Sequence, residues 1–479
     1  MDHRTPSGRL LPITGPLVPS SPKPAAVPEI PAQSEAAAQL ASAAPAAAQP
    51  AQSLWKNRSF AIFWGGQTLA SLGNMFSLIA MPLLVLQATG QVVQMGLVTA
   101  TFTIAQLVAG IFAGQLVDTL NRRVLMMVCD AGRMLIFATI PLVWWLAGPQ
   151  IWLIYVVTAS GAVLGMIFQV GFIAAVPNLV EREQIITANG YINASSAITA
   201  LIGPLLGGVA VEHFGPSIAL SGQAAAFAIS AGSLLFVRLR PSSAQTTSDA
   251  AEQTHSRSAL LAGVRFLFAQ PVLRDVTLIL IAFSMVMAAG LDLFIFHIKN
   301  DLHQGGTATG LVLAVSSIGA ILGSLAAGIL RKRLGFGATY LGSLILSGLP
   351  LALIGVWPNL YALAAIVGLV QLTNMVMGIN SMSLRQEITP DALLGRVTSA
   401  FWTISGVATP LGAALGTALA ARIGAPATFV WMGILVMAIG AAGILTSARQ
   451  SHPAGSVISG PQRENAAPAE VRQPEVARA

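Results

Sequence analysis

The sequence predicts an all-α membrane protein of twelve transmembrane helices, arranged as two pseudo-symmetric six-helix bundles. Three observations carry that expectation. Charged residues make up 9% of the 479 residues and hydrophobic ones 54%, with a mean hydropathy of +0.73. A soluble domain carries about a quarter charged residues, so the solvent that suits this much apolar surface is lipid. Apolar runs of bilayer-spanning length, about 20 residues, recur along the chain, and its two halves repeat.

The spans read as 60–87, 93–117, 124–147, 151–176, 188–211 and 216–237, then 275–298, 307–330, 337–356, 360–383, 397–421 and 426–447. The organisation that follows is a Pro/Ala/Ser-rich tail over 1–52, a first bundle over 53–237, a polar central loop over 238–270, a second bundle over 271–447 and a tail over 448–479. Both tails read as disordered. No cleavable signal peptide is visible, and the first helix is expected to serve as an uncleaved anchor. Gly and Ala are concentrated in spans 2, 5, 8 and 11, where small residues let helices approach closely.

Orientation comes from the basic residues. With both termini in the cytoplasm, 22 of the 25 Lys and Arg fall in cytoplasmic segments, Arg133 falls inside span 3, and only Lys299 and Arg422 lie on the other side. That asymmetry is the positive-inside pattern, and it places a multi-pass protein in the inner membrane. It also accounts for the net charge of +7 without nucleic acid as a partner. The repeat is visible in Gly114-Gln-Leu-Val-Asp118-Thr-Leu-Asn-Arg122-Arg123 after span 2 and Gly323-Ser-Leu-Ala-Ala327-Gly-Ile-Leu-Arg331-Lys332 after span 8, at an offset of 209. Gly215 and Gly424 stand at the same offset, and Pro204 and Pro410 at 206. Two six-helix halves joined by a long loop imply a transport path at their interface.

The loop pattern Gly114-x-x-x-Asp118-x-x-x-Arg122-Arg123 between spans 2 and 3 resembles the signature of the major facilitator superfamily. Arg385-Gln-Glu-Ile-Thr-Pro390-Asp-Ala-Leu-Leu-Gly395-Arg396-Val397 before span 11, and Leu261-Ala-Gly-Val-Arg265-Phe-Leu-Phe before span 7, resemble its drug-efflux branch, which includes macrolide pumps and the enterobactin exporter. The resemblance spans 55–447. It implies that Asp118 latches against the start of helix 11 when the cytoplasmic gate is shut, because a helix N-terminus offers unpaired N–H groups and positive potential. Gly114, Arg122, Arg123, Arg385, Gly395 and Arg396 join it as gating candidates. The second half has Ala327 where Asp118 stands, so its own contacts at that face fall to Arg331, Lys332 and Arg333.

Asp130 and Arg133, three apart on span 3, share a helix face and read as a structural pair or part of the gating charge network. Asp292, an acid in the outer half of span 7, is a candidate for proton coupling, with Asp130 second. An intramembrane carboxylate is costly unless it faces a cavity or a partner; the alternative is that span 7 ends before Asp292. Candidate cavity residues are Gln67, Asn74 and Phe76 on span 1, Gln169 on span 4, Asn193 on span 5, and Phe283 and Met287 on span 7. Gln371 and Asn374 on span 10, and Trp402 and Thr403 on span 11, complete them. The resemblance places the cavity on those helices, and aromatic and Met side chains with scattered amides suit bulky amphiphiles.

No phosphate-binding Gly-Lys loop, zinc motif or nucleophile elbow is present, and the one cysteine, Cys129, cannot form an intramolecular disulfide. These absences argue against an enzyme, a metal site and a cofactor. The expectation is a monomeric proton-driven exporter of a drug-like or siderophore-like molecule. A nutrient importer of the same fold, or a scaffold or receptor that does not transport, are the alternatives.

Overall fold

The computed structural model describes residues 54–239, 256–357 and 359–451. These residues form helices joined by short turns, with no strand among them. The first half is α1 (Arg58–Thr89), α2 (Val92–Thr119), α3 (Arg122–Ala147), α4 (Ile151–Leu179), α5 (Ile185–Phe214) and α6 (Pro216–Phe236). Then come α7 (Ser256–Ala269), α8 (Pro271–Met287), α9 (Gly290–Phe296), α10 (Gly306–Ile354), α11 (Leu360–Ile388), α12 (Asp391–Ile423) and α13 (Ala425–Gly443).

The helix limits have local causes. Asn57, Asn121 and Asn359 precede α1, α3 and α11, and each side-chain oxygen accepts backbone N–H groups of the first turn, as a cap should. Gly90 ends α1 in the left-handed conformation, φ 67°, where a Cβ would be strained. Among the described residues, eleven helical stretches are long and apolar enough to cross a membrane. One of them, α10, has 49 residues, about 74 Å of helix at 1.5 Å per residue. That is two crossings of a hydrocarbon core about 30 Å thick. Gly335 reverses the chain between them with φ 79°, ψ 174°, so spans 8 and 9 meet without the loop expected between 330 and 337.

The two halves are built alike. Span 1 packs on spans 5 and 6, span 2 on span 4, and span 3 on span 6. In the second half, span 7 packs on spans 11 and 12, and α10 lies along both α11 and α13. Between the halves, α2 packs on α12 and α5 on α10. The side on which the chain enters α1 carries most of the basic residues and is called the basic face below; the other is the opposite face.

Three expectations need correction. Span 7 is not one continuous helix: α8 ends at Met287, α9 restarts at Gly290, and a π turn over His297–Asp301 follows. The central segment 238–270 is not loop throughout, because α7 occupies its second part. Buried Leu267 packs there with Val397 and Phe401 at the start of α12, so the two motifs before spans 7 and 11 meet in space. The tail from 448 is ordered at first. Asp275 Oδ2 accepts from Ser447 N at 2.9 Å and Oγ at 2.5 Å. The carbonyls of Gln450 and Ser451 then accept from Gly337 N at 3.1 Å and Phe336 N at 2.9 Å. Those N–H groups open span 9 and have no partner within their own helix. The expected tail over 1–52 and the rest of 448–479 lie outside the described residues.

Candidate functional site

A cavity of about 770 Å³ runs beside α1 from Trp64 to Val85. Its wall is nearly all from the first half. Gln67, Asn74, Gln169 and Asn193 line it, with Gln106 and Gln223. Trp64, Phe102, Phe137, Phe168 and Phe172 supply flat apolar surface. Among the described residues, the second half contributes Leu291 and Asp292.

One charged network backs this wall. The Arg133 guanidinium donates from Nη1 to Asp130 Oδ1 at 3.4 Å and from Nη2 to Asn74 Oδ1 at 3.1 Å. It also lies 3.7 Å above the Phe227 ring, a favourable position for a cation. Asp130 is fully buried, and its Oδ2 accepts from Ser230 Oγ at 2.5 Å. Ser230 in turn accepts from Gln67 Nε2 at 2.9 Å. Gln223 Nε2 approaches Asn74 Oδ1 at 3.4 Å. Spans 1, 3 and 6 are thus tied through one ion pair. Arg133 lines the cavity and Asp130 sits behind it, so the guanidinium is the basic group on this wall.

At the far end of the cavity, Asp292 is 3% exposed and accepts from Thr99 Oγ1 at 2.7 Å. This bond joins the two halves. The restart of span 7 at Gly290 carries the carboxylate to that position, in the first turn of α9. Nearby the halves touch backbone to backbone. A Cβ on Gly96 of α2 would overlap Thr417 and the Ala413 carbonyl of α12. A Cβ on Gly310 of α10 would overlap the Pro204 carbonyl of α5. The halves are in close contact at the opposite face.

The gating candidates lie at the basic face. Arg122 Nη1 donates to the Ala174 carbonyl at 3.1 Å, near the end of α4. Arg123 Nε donates to the Leu234 carbonyl at 2.7 Å, and its Nη2 to that of Leu235, at the end of α6. Arg123 therefore satisfies carbonyls at a helix C-terminus, where positive charge is favourable, and Arg122 binds a carbonyl in the last third of α4. Arg331 repeats the arrangement, with Nη1 on the Asn380 carbonyl at 3.3 Å and Nη2 on Glu387 at 2.6 Å. Asp118 is exposed and, among the described residues, takes no hydrogen bond or ion pair. Neither Gly114 nor Gly395 has any atom within 4 Å of where a Cβ would stand. The latch expected for a shut gate is not engaged here. Arg385 is buried, with Nη1 on Ser381 Oγ at 3.1 Å and the guanidinium 3.6 Å above Phe401. It braces α11 against α12.

Several cavity candidates lie elsewhere. Phe76 is wedged against Gly207 and Gly222 between α5 and α6. Phe283 belongs to the apolar core, with Met287 packed against it. Gln371, Asn374, Trp402 and Thr403 do not line the cavity, and Trp402 is 62% exposed. The aromatic wall, Gln106 and Gln223 were missed: an aromatic or an amide within an apolar run carries no signal of which helix face it occupies, and that face decides whether it meets the cavity.

Two pseudo-symmetric six-helix halves of membrane-crossing helices, with a cavity of amides and aromatic rings set mainly in the first half, define a polytopic transporter fold. The chain belongs to the Major Facilitator Superfamily, whose family profile matches residues 63–298 and 286–474. It is 28% identical over 394 residues to the multidrug efflux pump Tap of Mycolicibacterium fortuitum, covering 78% of this chain and 91% of the pump. It is 25% identical over 350 residues to the enterobactin exporter EntS of Citrobacter koseri, covering 73% and 81%. Among solved structures, the nucleoside transporter NupG superposes with a TM-score of 0.69 at 13% identity, covering 81% of this chain and 98% of NupG. A bacterial homologue of the iron transporter ferroportin, in an inward-facing state, gives 0.59 at 16% identity, covering 81% and 97%. These two likenesses are of fold.

Proposed function

We propose that the protein is a secondary active exporter that moves a bulky amphiphilic molecule, drug-like or siderophore-like, out across the inner membrane by proton antiport. The observation that carries this reading is the cavity of about 770 Å³. It offers five aromatic rings, a belt of amides and one guanidinium. Broad apolar contact with few directional groups suits ligands that share shape and amphiphilicity rather than one hydrogen-bond pattern. The relatives named as a multidrug efflux pump and an enterobactin exporter support export of such molecules.

On this reading the basic face is cytoplasmic, as the charge asymmetry favours, and both termini lie there. The path is shut toward the periplasm, so the state described is the one that loads cargo from inside. The halves over 53–237 and 271–447 rock about the interface of α2 with α12 and α5 with α10. Asp118 then seats on the start of α12 as the cytoplasmic side closes. Asp292 is the coupling acid. In the outward state it takes a proton from the periplasm; in the inward state it releases that proton toward the cytoplasm. Each half-cycle links proton and cargo through the same conformational equilibrium. The protein acts as a monomer.

Cells producing the protein should retain less of a fluorescent aromatic cation or catechol-bearing probe than cells lacking it. An uncoupler should abolish the difference. Net uptake by the producing cells would instead indicate an importer, and no probe movement for either class would favour a scaffold.

A further inference from the structure

The Gly-x-x-x-carboxylate pattern that closes α2 has a second copy at the end of α5. Gly114-Gln-Leu-Val-Asp118 is matched by Gly208-Val-Ala-Val-Glu212, 94 residues further on. In each, the small residue and the acid stand four apart, one helical turn along the same face. Adjacent crossings alternate in direction, and α2 and α5 run oppositely. The first copy therefore lies at the basic face and the second at the opposite face.

The two copies are in opposite states. Glu212 Oε2 accepts from Thr307 N at 2.7 Å. Thr307 lies in the first turn of α10, where N–H groups lack helical partners. The residue at the cap of that helix is Gly305, which has no side chain to supply the bond. Glu212, from the other half of the molecule, supplies it. The fit is close: a Cβ on Gly305 would stand 2.5 Å from Glu212 Oε2, and one on Gly208 would overlap the Gly306 carbonyl. At the basic face, by contrast, Asp118 is unengaged and Gly114 has nothing near its Cβ position.

We infer that Glu212 is the latch of the periplasmic gate, the counterpart of Asp118, and that the two carboxylates engage in alternation. A cap donated across the interface holds only while the halves touch at that face, so it stabilises the inward-facing state and is lost in the outward-facing one. Glu212 is thus a positioning residue for transport; it does not contact cargo. The inference rests on the transport reading for its meaning, but its test needs no cargo.

Met95 lines the cavity next to the closed contact at Gly96. In a Cys129→Ser background, Met95→Cys reports opening of the periplasmic side through its rate of reaction with an impermeant thiol reagent added outside intact cells. Glu212→Ala should raise that rate about fivefold, the effect of losing one helix cap, and Glu212→Gln should raise it less. Asp118→Asn should lower it. Reaction of a second reporter, Gln91→Cys, which is exposed at the same face, should stay constant and so control for misfolding. The decisive variant is Glu212→Ala with Gly305→Asn, which gives α10 a cap of its own. The rate should remain high, because the cap is restored but the link between the halves is not. An unchanged rate in Glu212→Ala, or a return to the wild-type rate in the double variant, would overturn the inference. A wrong cargo or direction of transport would leave these rates as predicted.

Discussion

Arg133→Ala should destabilise the first bundle strongly, and the reason is the acid it leaves behind. Asp130 is fully buried, and its one charged partner among the described residues is Arg133, at 3.4 Å. Truncating the arginine also empties the position above Phe227 and removes the bond to Asn74. Breaking a buried ion pair by deleting one partner costs about 3 kcal/mol or more, because the remaining charge is uncompensated. The contact with Phe227 adds about 1 kcal/mol. The assay is thermal inactivation of purified protein in detergent for the wild type, Arg133→Ala, Asp130→Asn and the double variant. Arg133→Ala should be the least stable, and adding Asp130→Asn should restore part of the loss, since no charge is then stranded. If the double variant is as unstable as Arg133→Ala, the uncompensated carboxylate is not the cause and the electrostatic reasoning fails.

Other consequences follow from the same geometry. Asp118→Asn should insert and fold but transport more slowly, by about tenfold, because the charge that seats on α12 is gone; wild-type turnover would remove Asp118 from the gate. Arg331→Gln should change thermal stability by under about 1 kcal/mol, because its bond to Glu387 is partly solvent-exposed and such pairs are weak; a loss of several kcal/mol would mean that Arg331 holds the basic face together. Gly310→Val should be produced in the membrane but open toward the basic face less firmly shut on the other side, since its side chain must displace the Pro204 carbonyl. Faster reaction of Met95→Cys from outside would report this, and an unchanged rate would show that the contact can yield. Reporter fusions at residue 255 and at the C-terminus should both give cytoplasmic signals, and a periplasmic signal at either would reverse the assignment of faces.

The twelve crossings were legible because length and hydropathy alone select them, and the family because its loop motifs are specific. The break in span 7 was not. Met287 to Gly290 is as apolar as its surroundings, and the interruption depends on how α8 and α9 pack. That break decides where Asp292 points, so sequence reading held two alternatives for it. The structure buries it against Thr99 at the interface. Gln67, Asn74, Gln169 and Asn193 could be read as cavity residues because amides are rare in such helices. Phe76 was assigned to the cavity but lies against Gly207 and Gly222, because a Phe suits any buried face of a helix and its type does not tell which. The candidates on spans 10 and 11 were assigned by analogy of helix number, whereas the cavity is formed mainly by the first half. Glu212 was passed over because it stands one residue beyond span 5 as read, 188–211, where an acid at a helix end is ordinary. The signal that reveals it is the spacing from Gly208, which gains meaning once α5 is seen against α10.

The central claim is proton-coupled export, and everted inner-membrane vesicles test it most directly. In them the cytoplasmic face is outward, so an exporter fills the vesicle. With an inward-acidic pH gradient, vesicles containing the protein should accumulate an amphiphilic aromatic probe, and collapsing the gradient should release it. Asp292→Asn should bind the probe yet fail to concentrate it. Accumulation that persists with no proton gradient would contradict the coupling, and probe movement only outward from the vesicles would contradict export.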